Sequence, residues 1–428
     1  MTTDQALPPT APDDAMEQLL GAVDVVDPYP LWQSLLEGGP IVAPDGAFAL
    51  LSSHADCDAV LRSSAFSSDR ENSTRWQAVE AALTQEDRER LRRGKVFLFM
   101  DAPDHTRLRR LVSKAFTART VERLQPMVEE LSRDLLDAAH ARGRFELIED
   151  LAYPLPVAVI SRMLGVPAQD HVRFAGWSAV LASGLDDTLS AAEPQAAAER
   201  RLASDQFRDY IAALAEQRRR DPREDLLSAL VAAEDDGDRL TSDELVSTAM
   251  LLLIAGHETT VSLIANGALA LLRDPELRAR LAADPDLAAG VVEEVFRLDP
   301  PVQMTMRIAV EDTPVAGGVV HRGGAVVLLL AAAGRDPVQH PAPLTFDPAR
   351  TSGHLALSAG AHYCLGAPLA RLEARVVLYD LARRLVDPAL GELTYRENRV
   401  LRGPARMEIS YRDLVAQPAA TGGPTAQR

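Results

Sequence analysis

The sequence predicts a mainly α fold with a smaller β region. Apolar residues recur at helical spacing through most of the chain, and the longest such pattern covers about 241–272. Between residues 306 and 330 the apolar period changes toward two, and the run VVLLL at 326–330 is typical of a buried strand. The helices therefore outweigh the strands, which are concentrated in the second half of the chain.

The order of the elements follows from the same periodicity. The shorter helices are predicted near 29–37, 54–62, 104–117, 120–141, 149–164, 205–219 and 286–298. A first strand is predicted at 47–52. The long helix begins with a capping-box pattern, in which Thr241 and Glu244 each satisfy a free backbone amide. Residues 334–363 show no periodicity, and so long an irregular stretch usually has a function. A last helix is predicted from Cys364 to about Arg384.

The composition predicts one folded unit between two looser tails. Of the 428 residues, 47% are hydrophobic and 25% are charged, and nothing between residues 30 and 412 resembles a linker. We expect a flexible tail over 1–27, a single domain over 28–412 and a second flexible tail over 413–428. Both ends of the chain are rich in Pro, Ala, Gly and Thr, which leaves little to bury.

The charge and the apolar runs restrict the partners and the location. A formal net charge of −17 argues against nucleic acid or an anionic membrane as the main partner. Residues 1–15 lack the basic and apolar regions of a secretory signal. The strongly apolar stretch at 249–255 is too short to span a bilayer. We therefore expect a cytoplasmic protein.

The two cysteines, Cys57 and Cys364, are too few for a disulfide framework or a paired-cysteine metal site. Cys57 lies in a short amphipathic pattern and is predicted to be a small buried side chain. Cys364 follows a loop and precedes a helix, whose free amides and dipole favour a thiolate. Gly360 would allow that loop a tight turn, and Gly366 would allow close approach of a flat ligand. A buried cysteine at a helix start is the alternative interpretation.

The spacing around Cys364 resembles the heme-binding loop of the cytochromes P-450, which reads roughly FxxGxHxCxGxxLAR. Seven positions match, and they are Gly360, His362, Cys364, Gly366, Leu369, Ala370 and Arg371. The loop departs from the family at Leu357 and Ser358, where Phe and Gly are usual. The resemblance covers about residues 28–412 and implies the fold of this family in one catalytic domain. It also implies heme b (iron protoporphyrin IX), with Cys364 as the iron ligand and the long helix across the heme.

Glu294 and Arg297 lie three residues apart on a predicted helix, so they can form an ion pair. A solvated surface pair is the more common interpretation of that spacing alone. Here the pair resembles the ExxR helix of the cytochromes P-450, and Arg350 in FDPAR matches the third member. The resemblance implies a structural role, in which the three residues hold the irregular loop that presents the cysteine.

Polar residues interrupt the apolar long helix at AGHETT. Leu251, Ala255 and Thr259 lie four residues apart on one face. Taken alone, Thr259 would bond back to the carbonyl of Ala255 and bend the helix slightly. The resemblance implies in addition that Ala255 lines a dioxygen groove beside the heme, and that Glu258 and Thr259 are a catalytic acid–alcohol pair. For His257 we expect a packing or solvent role.

Heme propionates need cations or strong donors where they are buried. The resemblance assigns this role to His105 and Arg109, one helical turn apart, and to Arg307 and His362. An exposed basic helix is the alternative interpretation of His105 and Arg109 taken alone.

The resemblance implies a monooxygenase that inserts one atom of O2 into a small molecule. The chain shows no flavin or nicotinamide fingerprint, so electrons would come from a ferredoxin and a ferredoxin reductase. Arg107, Arg110 and Lys114 form a candidate basic patch for that partner. An ordinary solvated helix face is the alternative interpretation of these three residues.

Apolar candidates for substrate contact indicate a hydrophobic molecule of the polyketide, terpenoid, steroid or fatty-acid class. The candidates are Leu251, Ala255, Val302, Gln303, Met304 and Leu401, with the loops at 64–95 and 170–204. Two alternative functions stay open, a peroxide-driven peroxygenase and a heme-binding scaffold without catalysis. The presence of Glu258 and Thr259 argues against both.

Overall fold

Helices dominate the structure, a computed structural model that describes residues 21–182, 194–235 and 237–416. The prediction of a mainly α fold with a smaller β region is confirmed. Most of the two predicted tails, residues 1–20 and 417–428, lies outside the described residues, and the division into tails and one domain stays a prediction.

The helices follow one another along the whole described chain. Those of the first half are α1 (Tyr29–Gly38), α2 (His54–Arg62), α3 (Thr74–Ala82), α4 (Gln85–Arg93), α5 (Asp104–Ala115), α6 (Ala118–Glu122), α7 (Gln125–Ala141), α8 (Pro154–Met163), α9 (His171–Ala182), α10 (Pro194–Arg220) and α11 (Leu226–Ala232). Those of the second half are α12 (Ser242–Arg273), α13 (Pro275–Ala283), α14 (Leu287–Leu298), α15 (Leu330–Ala333) and α16 (Ala367–Arg384).

Most predicted helices are confirmed within a few residues, but two are interrupted. The segment predicted as 120–141 contains α6 and α7, which are separated near Leu124, just before Pro126. The segment predicted as 149–164 begins with a π-helical turn, Ile148–Ala152, and α8 starts afresh at Pro154. Proline fits only the first turn of a helix, so a new helix begins at each of these positions.

The segments predicted as loops at 64–95 and 170–204 contain helices, and this corrects the prediction. Helices α3 and α4 lie in the first segment, and α9 and the start of α10 lie in the second. Neither α3 nor α4 has a buried residue, so neither needs an apolar face that periodicity could reveal. Residues 183–193 of the second segment lie outside the described residues.

A five-stranded sheet with the order β1-β2-β9-β6-β3 packs beside the helices. Its strands are β1 (Ile41–Val42), β2 (Phe48–Leu51), β3 (Phe66–Ser67), β6 (Thr305–Ala309) and β9 (Ala325–Leu328). Strand β2 is parallel to β9, and β6 is antiparallel to β9 with Arg307 opposite Val326. The predicted strand at 47–52 is thus confirmed, whereas the one predicted at 326–330 ends at Leu328, because α15 begins at Leu330. The sheet fixes the position of Arg307.

The remaining strands form short antiparallel pairs. They are β4 (Glu234–Asp235) with β5 (Asp238–Arg239), β7 (Thr313–Val315) with β8 (Gly318–Val320), β10 (Leu385–Val386) with β13 (Asp413–Leu414), and β11 (Ala389–Tyr395) with β12 (Pro404–Ser410). The β11–β12 hairpin lies against α12. The two approach so closely at Gly403 that a side chain there would collide with the Ser262 hydroxyl.

Helix α12 is the central element, and its predicted capping box between Thr241 and Glu244 is present. A Cβ atom at Gly267 would lie 2.6 Å from Leu378, so glycine permits the close approach of α12 to α16. By length and composition α12 could cross a membrane, and 56% of its most apolar window is buried inside the structure. That degree of burial is typical of a core helix.

Candidate functional site

The loop before α16 presents Cys364 in a fixed backbone conformation. The Cys364 amide donates to the carbonyl of Leu357 at 2.9 Å, and a 3-10 turn covers Gly360–His362. Gly360 has φ +64°, and a Cβ atom there would lie 2.8 Å from the carbonyl oxygen of Leu61. Glycine is therefore required at this position both for its conformation and for its contact with α2. Leu357 is buried and belongs to the main hydrophobic core.

The Cys364 thiol has room beside it. A Cβ atom at Gly366 would meet only the Cys364 sulfur, at 3.9 Å. Burial raises the pKa of Cys364, against the opposing effects of the Gly366 and Ala367 amides and of the Arg109 charge. The helix amides expected to favour a thiolate are present, but burial has the larger effect. A bound metal ion would supply the missing stabilisation of the thiolate.

Cys57 has a different environment. Its side chain is fully buried and its sulfur lies 3.5 Å from the carbonyl oxygen of Leu51. Burial raises the pKa of the Cys57 thiol. The prediction that Cys57 is a small buried side chain is confirmed.

Four potential cations converge near the cysteine loop. The rings of His105 and His362 lie 4.1 Å apart. Arg109 donates to the carbonyl of Tyr363, next to Cys364. Arg307 is buried and donates to the carbonyl of Met306 at 2.9 Å. The structure thus brings together the four residues to which the resemblance assigned the propionates.

In the described part of the chain, these four residues form no ion pair with a carboxylate, and Asp101 acts on His105 and Arg307 only from a longer distance. The buried Nε2 atom of His105 has no hydrogen-bond partner there. Burial lowers the pKa of Arg307 to about 10, and burial with the neighbouring His105, Arg307 and Arg109 lowers that of His362 to about 3. A cluster of buried donors that has no paired carboxylate among the described residues fits a ligand that carries carboxylates.

The middle of α12 has an open face. Ala255 is exposed although much of the helix is buried, and Leu251 and Thr259 on the same face are partly exposed. Apart from the nearby backbone of the helix itself, no atom of the described residues lies within 4 Å of a Cβ built at Gly256. The Thr259 hydroxyl donates to the carbonyl of Ala255 at 2.7 Å, which is the back-bond predicted from the sequence.

Glu258 lies on a different, buried side of α12 from Thr259. Arg396, which follows β11, donates to the Oε2 atom of Glu258 in a short ion pair. His257 is fully buried, and its Nδ1 atom lies 2.9 Å from the Ser178 hydroxyl and 3.8 Å from Glu258 Oε1. Burial lowers the pKa of His257 to about 4, so this ring is neutral at neutral pH. The packing role expected for His257 agrees with these contacts.

Arg396 was not singled out from the sequence. It lies in the segment YRENR, which has no recognisable periodicity, and its partner Glu258 is 138 residues away in the chain. Local spacing contains no signal for such a contact.

The Glu294, Arg297 and Arg350 side chains form one buried network. Arg297 donates to both carboxylate oxygens of Glu294, at 2.6 and 2.7 Å, and Arg350 Nε lies 3.2 Å from Glu294 Oε1. Arg297 also donates to the carbonyls of Gly334, Pro343 and Thr345. The Glu294–Arg297 pair is therefore buried and not a solvated surface pair. It connects α14 to the irregular segment before the cysteine loop.

The Cys364 side of α16 has a second ion pair. Arg371 donates to both oxygens of Glu293, at 2.7 and 2.9 Å, and to the Tyr363 hydroxyl at 3.1 Å. Burial alone would raise the pKa of Glu293, but hydrogen bonds from Arg371 and His354 lower it to about 2. Arg371 was one of the seven matched positions, whereas Glu293 was not predicted.

Comparison with known proteins decides what this arrangement is. The family model for cytochrome P450 matches residues 78–385. The chain belongs to the cytochrome P450 family. Cytochrome P450 monooxygenase PikC of Streptomyces venezuelae is 42% identical over 407 residues, which cover 92% of this chain and 93% of that protein.

Further relatives of this cytochrome P450 agree. Vitamin D(3) 25-hydroxylase of Pseudonocardia autotrophica is 39% identical over 395 residues, which cover 90% of this chain and 94% of that protein. The ligand-free crystal structure of CYP164A2 from Mycobacterium smegmatis has a TM-score of 0.83 at 48% identity, covering 92% of this chain and 98% of that one. This cytochrome P450 is therefore a monooxygenase with heme b as its cofactor, and the cluster of buried donors around Cys364 fits that group.

The predicted substrate contacts of this cytochrome P450 divide into two groups. Leu251 and Val302 are partly exposed, and Leu401 is bridged to Val302 through the backbone. Gln303 is buried, accepts a hydrogen bond from the Trp32 indole at 2.9 Å and donates to a backbone carbonyl. Met304 is buried in the same cluster as Trp32. Gln303 and Met304 thus pack beside the buried Trp32, and the role of all these residues as substrate contacts stays a prediction.

Proposed function

We propose that this cytochrome P450 oxidises a hydrophobic small molecule with electrons from a ferredoxin and its reductase, in the cytoplasm. The observation that carries the proposal is the open apolar face of α12 at Leu251 and Ala255, next to the Thr259 hydroxyl. A face of this kind suits an apolar substrate that must lie close to a proton donor.

The cofactor would be held by the residues around the cysteine loop. Cys364 would ligate the iron, and His105, Arg109, Arg307 and His362 would bind the propionates. Small residues at Gly366 and Ala255 would leave space for the ring, and Gly360 would allow the turn that presents Cys364. The heme supplies electron transfer and dioxygen activation, for which a thiolate ligand is suited. The protein supplies the ligand, the charge balance and the pocket.

Glu258 and Thr259 would deliver protons to the active site. The Thr259 hydroxyl lies on the open face and can give or accept a hydrogen bond there, while Glu258 lies behind it as the acid. A peroxygenase does not need this pair, so its presence favours dioxygen over peroxide as the oxidant.

Replacing Thr259 by alanine tests the proton assignment. We expect Thr259→Ala to bind heme normally, to reduce product per NADPH by about 10-fold or more, and to release peroxide instead, because a positioned proton donor contributes about 10²–10⁴-fold. Product and peroxide are measured per NADPH consumed. The matched control is Thr260→Ala, which removes a similar back-bond to the Gly256 carbonyl at 2.8 Å from a buried position. Normal coupling in Thr259→Ala would refute the assignment.

The ferredoxin would dock beside the cysteine loop. Arg110 and Lys114 are exposed on α5, the helix whose Arg109 donates to the carbonyl of Tyr363. Arg107, the third predicted member of the patch, is only partly exposed and pairs with Glu244 and Asp238, so the exposed cations of the patch are Arg110 and Lys114. Two surface cations next to the cysteine loop would attract an acidic carrier.

Charge reversal tests this docking site. We expect the double variant Arg110→Glu, Lys114→Glu to slow ferredoxin-driven turnover by about 10-fold or more at low salt, since steering changes association by about 10–10³-fold. Reduction by dithionite and the heme spectrum should stay unchanged. Arg412→Glu, on the loop between β12 and β13 with a side chain 73% exposed, is the control. Equal turnover of the wild type and the double variant would contradict the proposal.

The relatives suggest which apolar molecules to try. One is named a vitamin D(3) 25-hydroxylase and another a 6-deoxyerythronolide B hydroxylase, so we propose a steroid-like or polyketide substrate, with terpenoids and fatty acids as the other classes. Titration of vitamin D3, testosterone, 6-deoxyerythronolide B, a monoterpene and palmitate should shift the Soret band for at least one of the first three. A shift of the Soret band with palmitate alone would exclude a steroid-like or polyketide substrate.

A non-catalytic heme scaffold is the second candidate function. It would bind the same molecules without consuming oxygen. Substrate-dependent oxygen uptake with a surrogate ferredoxin and reductase distinguishes the two, and we expect uptake.

A further inference from the structure

We propose that Arg396 is a positioning residue for the proton-delivering acid Glu258, held in place by the segment at 396–403 that joins β11 to β12. This inference rests on the proposed function of Glu258. Three independent contacts between the hairpin segment and α12 carry it.

The first contact is the ion pair itself. Arg396 donates through Nη1 to Glu258 Oε2, with the carboxylate side chain 11% exposed and the guanidinium side chain 23% exposed. A half-buried pair of this geometry restricts the carboxylate to one orientation. Its other oxygen, Oε1, is then the atom left to take up and release a proton.

The second contact places the hairpin on the same stripe of α12. Glu258, Ser262 and Asn266 are four residues apart and share one helix face. Gly403 lies so close to Ser262 that a side chain there would collide with its hydroxyl. The hairpin segment at 396–403 therefore covers the polar stripe that begins at Glu258.

The third contact fixes the end of the segment. The Asn266 amide donates to the carbonyl of Asp299 at 2.9 Å and to that of Arg402 at 3.4 Å. The Arg396 amide donates across the hairpin to the Gly403 carbonyl at 3.4 Å. Arg396 is thus anchored by backbone contacts that do not depend on its own side chain.

His257 also lies beside Glu258, but it cannot replace Arg396. His257 Nδ1 already lies 2.9 Å from the Ser178 hydroxyl, and its ring packs edge to face on Tyr153 at 4.3 Å. Both His257 and Ser178 are fully buried, so neither has contact with solvent. Arg396 is the partly exposed neighbour of the carboxylate, and its side chain marks the direction from which solvent can reprotonate Glu258. The guanidinium itself stays charged and gives up no proton.

The test is a double-mutant cycle on the heme-loaded enzyme. The variants are Arg396→Gln, Arg396→Lys, Glu258→Gln and the double variant, with Arg406→Gln as the matched control. Arg406 lies on the same hairpin, half-exposed, and pairs with Glu392 and Glu408. Turnover uses a surrogate ferredoxin, its reductase and the compound from the titration panel with the largest spectral shift. The readouts are product per NADPH, the solvent deuterium isotope effect on NADPH oxidation, and the thermal unfolding midpoint.

We expect Arg396→Gln to lower product per NADPH by about tenfold and to raise the isotope effect, because a proton donor in the wrong orientation slows proton transfer. Arg396→Lys should restore part of the loss, since lysine keeps the charge without the planar fork. The double variant should match Glu258→Gln, both in coupling and in unfolding midpoint. Arg406→Gln should match the wild type.

The possible failures are distinguishable. If Glu258→Gln couples normally, the proposed role of Glu258 is wrong. If Glu258→Gln is uncoupled but Arg396→Gln is normal, only the role of Arg396 is overturned. Additive effects of the two substitutions on the unfolding midpoint would also overturn it, because the ion pair would then not exist in solution.

Discussion

Arg297→Ala is expected to lower the free energy of unfolding by about 3–5 kcal/mol, because it removes the bidentate partner of the buried Glu294 carboxylate and leaves Arg350 as its remaining cation. Arg297 is 1% exposed and Glu294 is 3% exposed, and the guanidinium also satisfies three backbone carbonyls. A loss of that size is a large part of the about 5–15 kcal/mol that stabilises a typical domain. We expect little soluble, heme-loaded protein from this variant.

The matched control for Arg297 is Arg371→Ala, which breaks the pair with Glu293. Those side chains are 30% and 40% exposed, so the loss should be only about 0–1 kcal/mol. The thermal unfolding midpoint and the yield of heme-loaded protein are measured for both variants. Equal destabilisation by the two substitutions would contradict the view that the buried network holds the irregular segment.

Cys364→Ser is expected to abolish substrate oxidation while leaving the fold intact. Serine has nearly the same shape, and the backbone bond from residue 364 to the Leu357 carbonyl does not involve the side chain. His105, Arg109 and Arg307 would still be available to hold the propionates. The thiolate, which favours cleavage of the O–O bond, would be lost.

For Cys57 we expect the opposite result, in which stability is lost and turnover is kept. Cys57→Ser places a hydroxyl in a fully buried site, which should cost about 1–3 kcal/mol where its hydrogen bond is imperfect. Turnover per heme should stay unchanged. Far-ultraviolet circular dichroism, unfolding midpoints and product formation separate the two cases. Loss of turnover in Cys57→Ser with normal heme content would contradict this division of roles.

The sequence predicts the features that depend on local spacing. The capping box at Thr241 and Glu244, the Thr259 back-bond and the Glu294–Arg297 pair each involve residues three or four apart, and the structure shows all of them. These features follow from helix geometry, which fixes neighbours at that separation.

The features that were missed depend on contacts between distant segments. Arg396 finds Glu258 only because the β11–β12 hairpin packs on α12. Gln303 accepts a hydrogen bond from the Trp32 indole, which lies 271 residues away in sequence. Arg107 of the predicted basic patch forms an ion pair with Glu244, which lies on α12. None of these partners has a spacing that periodicity or a motif could reveal.

The composition of a helix also limits its detection. Helices α3 and α4 have no buried residues, and α4 consists mostly of charged side chains. Such a helix is stabilised by its capping residue Thr84 and by contacts along the chain rather than by an apolar face. The pattern that predicts amphipathic helices is therefore absent from this segment.

The most direct test of the central claim is the carbon monoxide difference spectrum of the dithionite-reduced protein, recorded for the wild type and for Cys364→Ser. We predict a strongly red-shifted Soret band in the wild type that is absent from the variant, since only a thiolate ligand gives that shift. Absence of heme, or a spectrum that the substitution leaves unchanged, would contradict the assignment of Cys364 as the iron ligand.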